Sequence, residues 1–128
     1  DREDPHQSIR GGAIYLKYLY DKTPQKLSST QRWALALAAY NIGWGHLRDA
    51  HHLSLQLKKN PHNWSEFKTV LPKLENKIYH SKLLYGFARG KETVDFVDKV
   101  FNYYNLLNAT FSLRSNIALN ARKFSYVP

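Results

Sequence analysis

A tyrosine and an asparagine at the end of an alanine-rich stretch, followed closely by two glycines, are well placed to meet a ligand: Ala38-Ala39-Tyr40-Asn41-Ile42-Gly43-Trp44-Gly45-His46. The phenol offers an apolar ring and a hydroxyl, the amide offers donors and an acceptor, and glycine permits close backbone approach. Groups of this kind suit the wall of a cleft. Tandem His51-His52 invites a metal reading, but neighbours on a helix point about 100° apart and do not readily chelate one ion. Asp49 and His52, three apart, share a face and supply two ligands with no third in view, so a solvated polar face is expected rather than a metal site. No serine sits in a glycine-flanked elbow of the kind nucleophilic catalysis uses. The sequons Asn63-Trp64-Ser65 and Asn108-Ala109-Thr110 are short enough to arise by chance.

The chain around these residues has 128 positions, 19 Lys+Arg against 10 Asp+Glu, a formal charge of +9 and no cysteine. Disulfides, thiolate metal sites and cysteine nucleophiles are thereby excluded. A strong positive field favours anionic company. The lysines are nevertheless scattered and no nucleic-acid motif is present, so nucleic acid is not the expected partner. Aromatic residues make up 14% and nine of them are Tyr, a composition that suits sugar and peptide clefts. The longest apolar run, Trp33 to Tyr40, falls far short of the roughly 20 residues of a membrane span. No signal peptide opens the chain, which reads as a soluble, mature or excised segment of one domain.

Periodicity predicts the elements that carry these residues. Ile9, Ala13, Leu16 and Tyr20 recur at helical spacing, predicting a helix from Pro5 to Tyr20 with one apolar side, ended by Thr23-Pro24. Ser28 and Gln31 read as a capping box for a central helix whose buried face holds Trp33, Ala36, Leu37 and Tyr40, with Gly43 as its stop. Gly45 to Leu57 is a third helix, closed by Asn60-Pro61; Trp64 to Leu71 is a short fourth, and Ile78 to Leu84 a fifth, stopped by Gly86. Val94, Val97, Phe101 and Tyr104 give the Glu92-to-Leu107 stretch a strong helical period, which weakens past Asn108 before one more helix from Phe111 to Phe124. No segment alternates as a strand does, so the fold class is all-α.

Three separated segments then fall in a recognisable order: Ser8-Ile9-Arg10-Gly11-Gly12-Ala13-Ile14-Tyr15-Leu16, the Ala38-to-His46 stretch, and Tyr79-His80-Ser81-Lys82-Leu83-Leu84-Tyr85-Gly86-Phe87-Ala88-Arg89-Gly90-Lys91-Glu92-Thr93 leading into Phe96-Val97. Together they resemble the soluble lytic transglycosylase domain, most closely its membrane-bound F-type branch. The resemblance implies a goose-lysozyme-like helical fold acting on peptidoglycan glycan strands in the periplasm, at the outer membrane, with no cofactor and no metal. It implies Tyr40 and Asn41 at the catalytic groove, joined by Tyr85 and by Glu92, which is read as structural or groove-lining.

In that family one carboxylic acid protonates the bond between N-acetylmuramic acid and N-acetylglucosamine. It then serves as base while the muramoyl 6-hydroxyl attacks its own anomeric carbon, leaving a 1,6-anhydro sugar. The acid is a Glu followed by Ser, with a Gly-Leu-Met-type motif shortly after. Here Glu3, Glu66, Glu75 and Glu92 are none of them followed by Ser, and there is no Met. The expectation is therefore that residues 1–107 are the C-terminal part of a catalytic domain whose acid lies upstream of Asp1, with 108–128 a helical extension. Any membrane association would come through parts outside this chain. A non-catalytic peptidoglycan-binding or scaffolding module is the alternative. Loss of half a groove also predicts exposed apolar surface and self-association.

Overall fold

The computed structural model describes residues 4–125, and among them every regular element is helical, with no strand. In chain order these are α1 (Pro5–Asp21), α2 (Ser29–Ile42), α3 (Trp44–Gln56), α4 (Trp64–Val70), a 3-10 turn (Leu71–Glu75), α5 (Lys77–His80) and α6 (Gly90–Ser125). Contacts divide the chain into two units, Asp1–Val97 and Asp98–Pro128.

The centre of the first unit is α2. Six consecutive residues, Ala34 to Ala39, are buried, so the helix is covered on every side rather than along one stripe. Four of the six are alanine, and their small side chains let α1, α3 and α4 all approach the same rod. Leu19, Leu47, Leu53, Phe67, Val70 and Leu74 complete the core from the surrounding elements.

Arg32 fastens α1 to α2 by adding to the bonds that Thr23 already makes with the Tyr20 carbonyl at the end of α1. Its Nε donates to Thr23 Oγ1 at 2.8 Å and its Nη2 to the Tyr20 carbonyl at 3.1 Å, while the guanidinium lies 4.2 Å above the Tyr20 ring. A cation at the carboxyl end of α1 also meets the negative end of the helix dipole. Tyr20 in turn packs on Trp33 with ring centroids 4.1 Å apart.

Several expectations are corrected. α1 does not bury Ile9 and Ala13: Ile9 is 71% exposed, and burial falls on Gly12, Leu16, Leu19 and Tyr20, so the expected apolar side is covered only in its later turns. Only half of the capping box forms. Ser28 Oγ accepts from the Gln31 N–H at 3.3 Å, but the Gln31 side chain is drawn away to accept from the Trp64 N–H at 2.7 Å, tying the start of α4 to α2. Tyr40 does not share the buried face; it stands at the helix end, 42% exposed. The fifth helix shrinks to Lys77–His80 because Ile78 and Leu84 find nothing to pack on and remain exposed. The weak period past Asn108 does not interrupt α6, since no glycine or proline follows to break it before Ser125.

Two glycines impose real constraints. Gly43, with φ of 92°, is both the last cap of α2 and the first cap of α3, a left-handed conformation that side chains resist. A Cβ on Gly90 would fall on the carbonyl of Leu71, where the start of α6 crosses the 3-10 turn. Gly90→Ala should therefore cost about 1–3 kcal/mol, whereas Gly11→Ala, open to space inside α1, should gain about 0.5–1 kcal/mol. Leu37→Ala in the α2 core should cost about 2–5 kcal/mol. Denaturant unfolding of the three variants checks all of these, and a loss under about 0.5 kcal/mol at Leu37 would make α2 peripheral.

Candidate functional site

The end of α2 delivers Tyr40 and Asn41 to the surface together, and each is held by a different partner. Asn41 Oδ1 accepts from Thr93 Oγ1 at 2.7 Å. Thr93 is fully buried in the first turn of α6, and its hydroxyl also lies 3.3 Å from the Arg89 carbonyl. The amide nitrogen of Asn41 is thus left to point outward with its orientation fixed by its own oxygen. Tyr40 sits between Tyr15 of α1, 5.9 Å away between centroids, and Phe96 of α6, at 6.3 Å and nearly parallel. Its hydroxyl lies against Gly12, where an added Cβ would come within 3.0 Å. Tyr15 is itself stacked with Tyr18 at 6.2 Å and half exposed. The result is a row of aromatic rings beside an aligned amide, the chemistry of a surface that stacks and hydrogen-bonds a sugar.

Tyr85 belongs to a neighbouring cluster at the start of α3. Its ring covers Gly45 so closely that a Cβ there would approach ring carbons to 2.8 Å, and it meets the His46 imidazole edge-on at 6.0 Å. Its backbone N–H donates to Asp49 Oδ2 at 2.8 Å, and Asp49 is buried. The spacing of Asp49 and His52 therefore serves loop anchoring: the carboxylate holds the 85 loop. Glu92 stands at the surface, paired with Arg89 at 3.6 Å, both side chains well exposed. It lies in the first turn of α6, and a second carboxylate meets the amino end of that helix: Glu75 Oε2 accepts from the Lys91 N–H at 2.9 Å.

Sequence reasoning missed Thr93, Gly12, Tyr15 and Phe96 as individual site residues. They lie inside the quoted segments, yet nothing in their spacing tells that segments more than 50 residues apart converge on Tyr40 and Asn41. For Asp49, a lone carboxylate on an otherwise basic helix face was the available signal.

The tandem histidines differ in burial, although their rings meet edge-on at 6.2 Å. His52 is exposed, while His51 is half-buried and faces His62 at 5.6 Å. Among the described residues no three of His, Cys, Asp and Glu converge as metal ligands. Burial, and then the like charges of His62 and His52, push the His51 pKa below its ordinary 6.5.

With this geometry in view, comparison with known proteins defines the class. Residues 1–63 match the family model of the Transglycosylase SLT domain, and the helices described above agree with the all-α, lysozyme-like fold of that domain. The chain is 47% identical over 107 residues to the membrane-bound lytic murein transglycosylase F of Shewanella denitrificans, covering 84% of this chain and 22% of that protein. It is 45% identical to the enzyme of the same name from Shewanella loihica and 43% to that from Shewanella oneidensis, with the same coverage. The chain thus spans about a fifth of the length of the curated relatives it matches.

Two outcomes follow. Thr93→Val, which keeps the shape but removes the hydroxyl, should cost about 0.5–1.5 kcal/mol and release the Asn41 amide, seen as altered side-chain amide resonances by NMR. For His51, the unfolded chain takes up its proton at higher pH than the folded chain, so between the two pKa values stability rises with pH. Stability should therefore fall as the pH drops below about 6.5, and His51→Gln should flatten that part of the profile in denaturant unfolding.

Proposed function

We propose that this chain forms one wall of the glycan-binding groove of a peptidoglycan lytic transglycosylase, with Tyr40 and Asn41 contacting the sugar chain and Tyr85 and Glu92 at its margins. The observation that carries the reading is the Asn41 amide, fixed by a buried hydroxyl from α6 and flanked by the Tyr15, Tyr40 and Phe96 rings, in a chain whose residues 1–63 match the SLT domain. The relatives are named for action on murein, which supports the same substrate class here.

The carboxylic acid that such a reaction needs is assigned to residues outside these 128. No Glu in the chain is followed by Ser. Glu66 accepts from the Asn60 N–H and Glu75 from the Lys91 N–H, while Glu92 pairs with Arg89; Glu3 lies outside the described residues. This wall would orient the muramoyl residue, so that the external acid can protonate the glycosidic oxygen and the 6-hydroxyl can close on the anomeric carbon. Periplasmic work at the outer membrane belongs to the same proposal; among the described residues no helix is long and apolar enough to cross a membrane. The lack of a Glu-Ser pair equally favours a second reading, a peptidoglycan-binding module without catalysis. Exposed Ile9, Ile14, Tyr15 and Tyr18 on α1 support self-association in either case.

The isolated chain should sediment with purified sacculi and release no 1,6-anhydromuropeptides. Release that disappears on changing Glu92 to Gln would overturn both the external acid and the role given to Glu92. In a longer protein carrying the acid, Asn41→Ala should lower turnover strongly while the thermal midpoint barely moves, because the Thr93 hydroxyl keeps the Arg89 carbonyl and Asn41 itself is exposed. A stability loss above about 2 kcal/mol with normal specific activity of the folded fraction would remove Asn41 from the groove. Normal turnover of purified glycan with an acid-bearing but Asn41-substituted enzyme would do the same.

A further inference from the structure

A second concave site is built on α3 from residues that the glycan reading leaves unused. A cavity of about 590 Å³ opens between α3, the turn after α1 and the loop before α4. Arg48, His51 and His52 enter it from α3, at positions three and four apart that share a helix face. Lys22 enters from the turn after α1, and His62 from the loop before α4. Leu35, Leu47 and Phe67 form an apolar floor, with Trp44 and Pro24 among the remaining lining residues.

Five basic side chains line this cavity and no carboxylate does. Asp49, the acidic residue of the same helix, is buried and engaged by the Tyr85 N–H; it lines a second cavity of about 360 Å³, which Arg48 and His52 also border. The Lys22 ammonium lies 4.8 Å over the Tyr18 ring, a neutral partner that leaves its charge uncompensated. From every element packed around His51, the charged or titratable groups in the cavity are thus basic: Arg48 and His52 on its own helix, Lys22 and His62 opposite. Converging like charges over an apolar floor are held at an energetic cost, and an anion of matching size would relieve it.

We propose that this cavity is a binding site for a small multivalent oxyanion, a phosphate or a polycarboxylate, gripped by Arg48, Lys22 and the ring N–H groups of His51 and His62. The guanidinium offers paired N–H donors to two oxygens, and each protonated imidazole adds one N–H and a charge. The site stands independently of the glycan groove.

Binding and protonation must then be linked. Burial, and then the neighbouring His62 and His52, favour the neutral form of His51. A bound oxyanion reverses the sign of the nearest charge, so it raises the His51 pKa, and by the same linkage binds more tightly as the pH falls.

The test follows histidine ring resonances of the full chain by NMR through about pH 5 to about pH 8. One arm adds inorganic phosphate, another tricarballylate, and a third sodium chloride at matched ionic strength. The expected result is a raised His51 pKa with one or both oxyanions and not with chloride, with affinity for the multiply charged form of the oxyanion about fivefold or more tighter near pH 5.5 than near pH 7.5. The responding arm identifies the oxyanion class. Arg48→Gln, at an exposed position that the fold does not need, should weaken binding by about tenfold with an unchanged thermal midpoint. His51→Gln should flatten the pH dependence. Equal shifts in chloride, no shift with either oxyanion, or undiminished affinity in the folded Arg48→Gln protein would each overturn the proposal.

Discussion

Everything in the first unit depends on how closely helices can approach the middle of α2. A helix covered on all sides is common only where its own side chains are small, because each bulky residue would push a neighbour outward and open voids that packing does not tolerate. The run Ala34-Leu35-Ala36-Leu37-Ala38-Ala39 meets that demand, and α1, α3 and α4 settle around it. The exposed polar residues that follow, Tyr40 and Asn41, are therefore displayed from the most constrained rod in the molecule. Their positions are fixed by the core rather than by a loop.

Around this rod the connections are secured by side chains capping helix ends. Arg32 takes the carbonyl of Tyr20 at the end of α1, Gln31 takes the first N–H of α4, Glu75 takes an N–H in the first turn of α6, and Asp49 takes the N–H of Tyr85. Each ties together two segments of the chain, the Tyr20 carbonyl being shared between Arg32 and Thr23. Such bonds contribute about 1 kcal/mol apiece, less than the burial around α2, but they decide where each element begins and how it is aimed.

The legible part of the fold was the part governed by local rules. Helical periods, the Ser28 cap, the Gly43 stop and the closing Asn60-Pro61 are short-range signals, and the first four helices they predict are present with ends shifted by about one residue. What failed was orientation. The stripe Ile9-Ala13 looked like a core face because periodicity reports an apolar side without saying whether a partner covers it. Gln31 fitted a capping box by type, yet a tertiary donor 33 residues away claimed its oxygen. In the candidate site, Tyr40 and Asn41 were visible from residue type and from adjacent glycines. Thr93 was not, since a buried threonine in a helical first turn looks like any other until the fold sets it against Asn41. Asp49 looked like half of a ligand pair because sequence spacing cannot show a backbone N–H arriving from residue 85.

Gly43 joins α2 to α3 with no residue to spare, closing one helix and opening the next in a conformation open to few residue types. The aromatic row at the end of α2 and the basic row on α3 are consequently keyed to one another like two cams on a single shaft. Adding one residue at this joint would turn α3 by about 100°, carrying Arg48 and His51 off their cavity and Asp49 away from the loop it anchors. Length at this point is therefore as constrained as chemistry, and variation in either surface has to come through exchange of side chains at a fixed register.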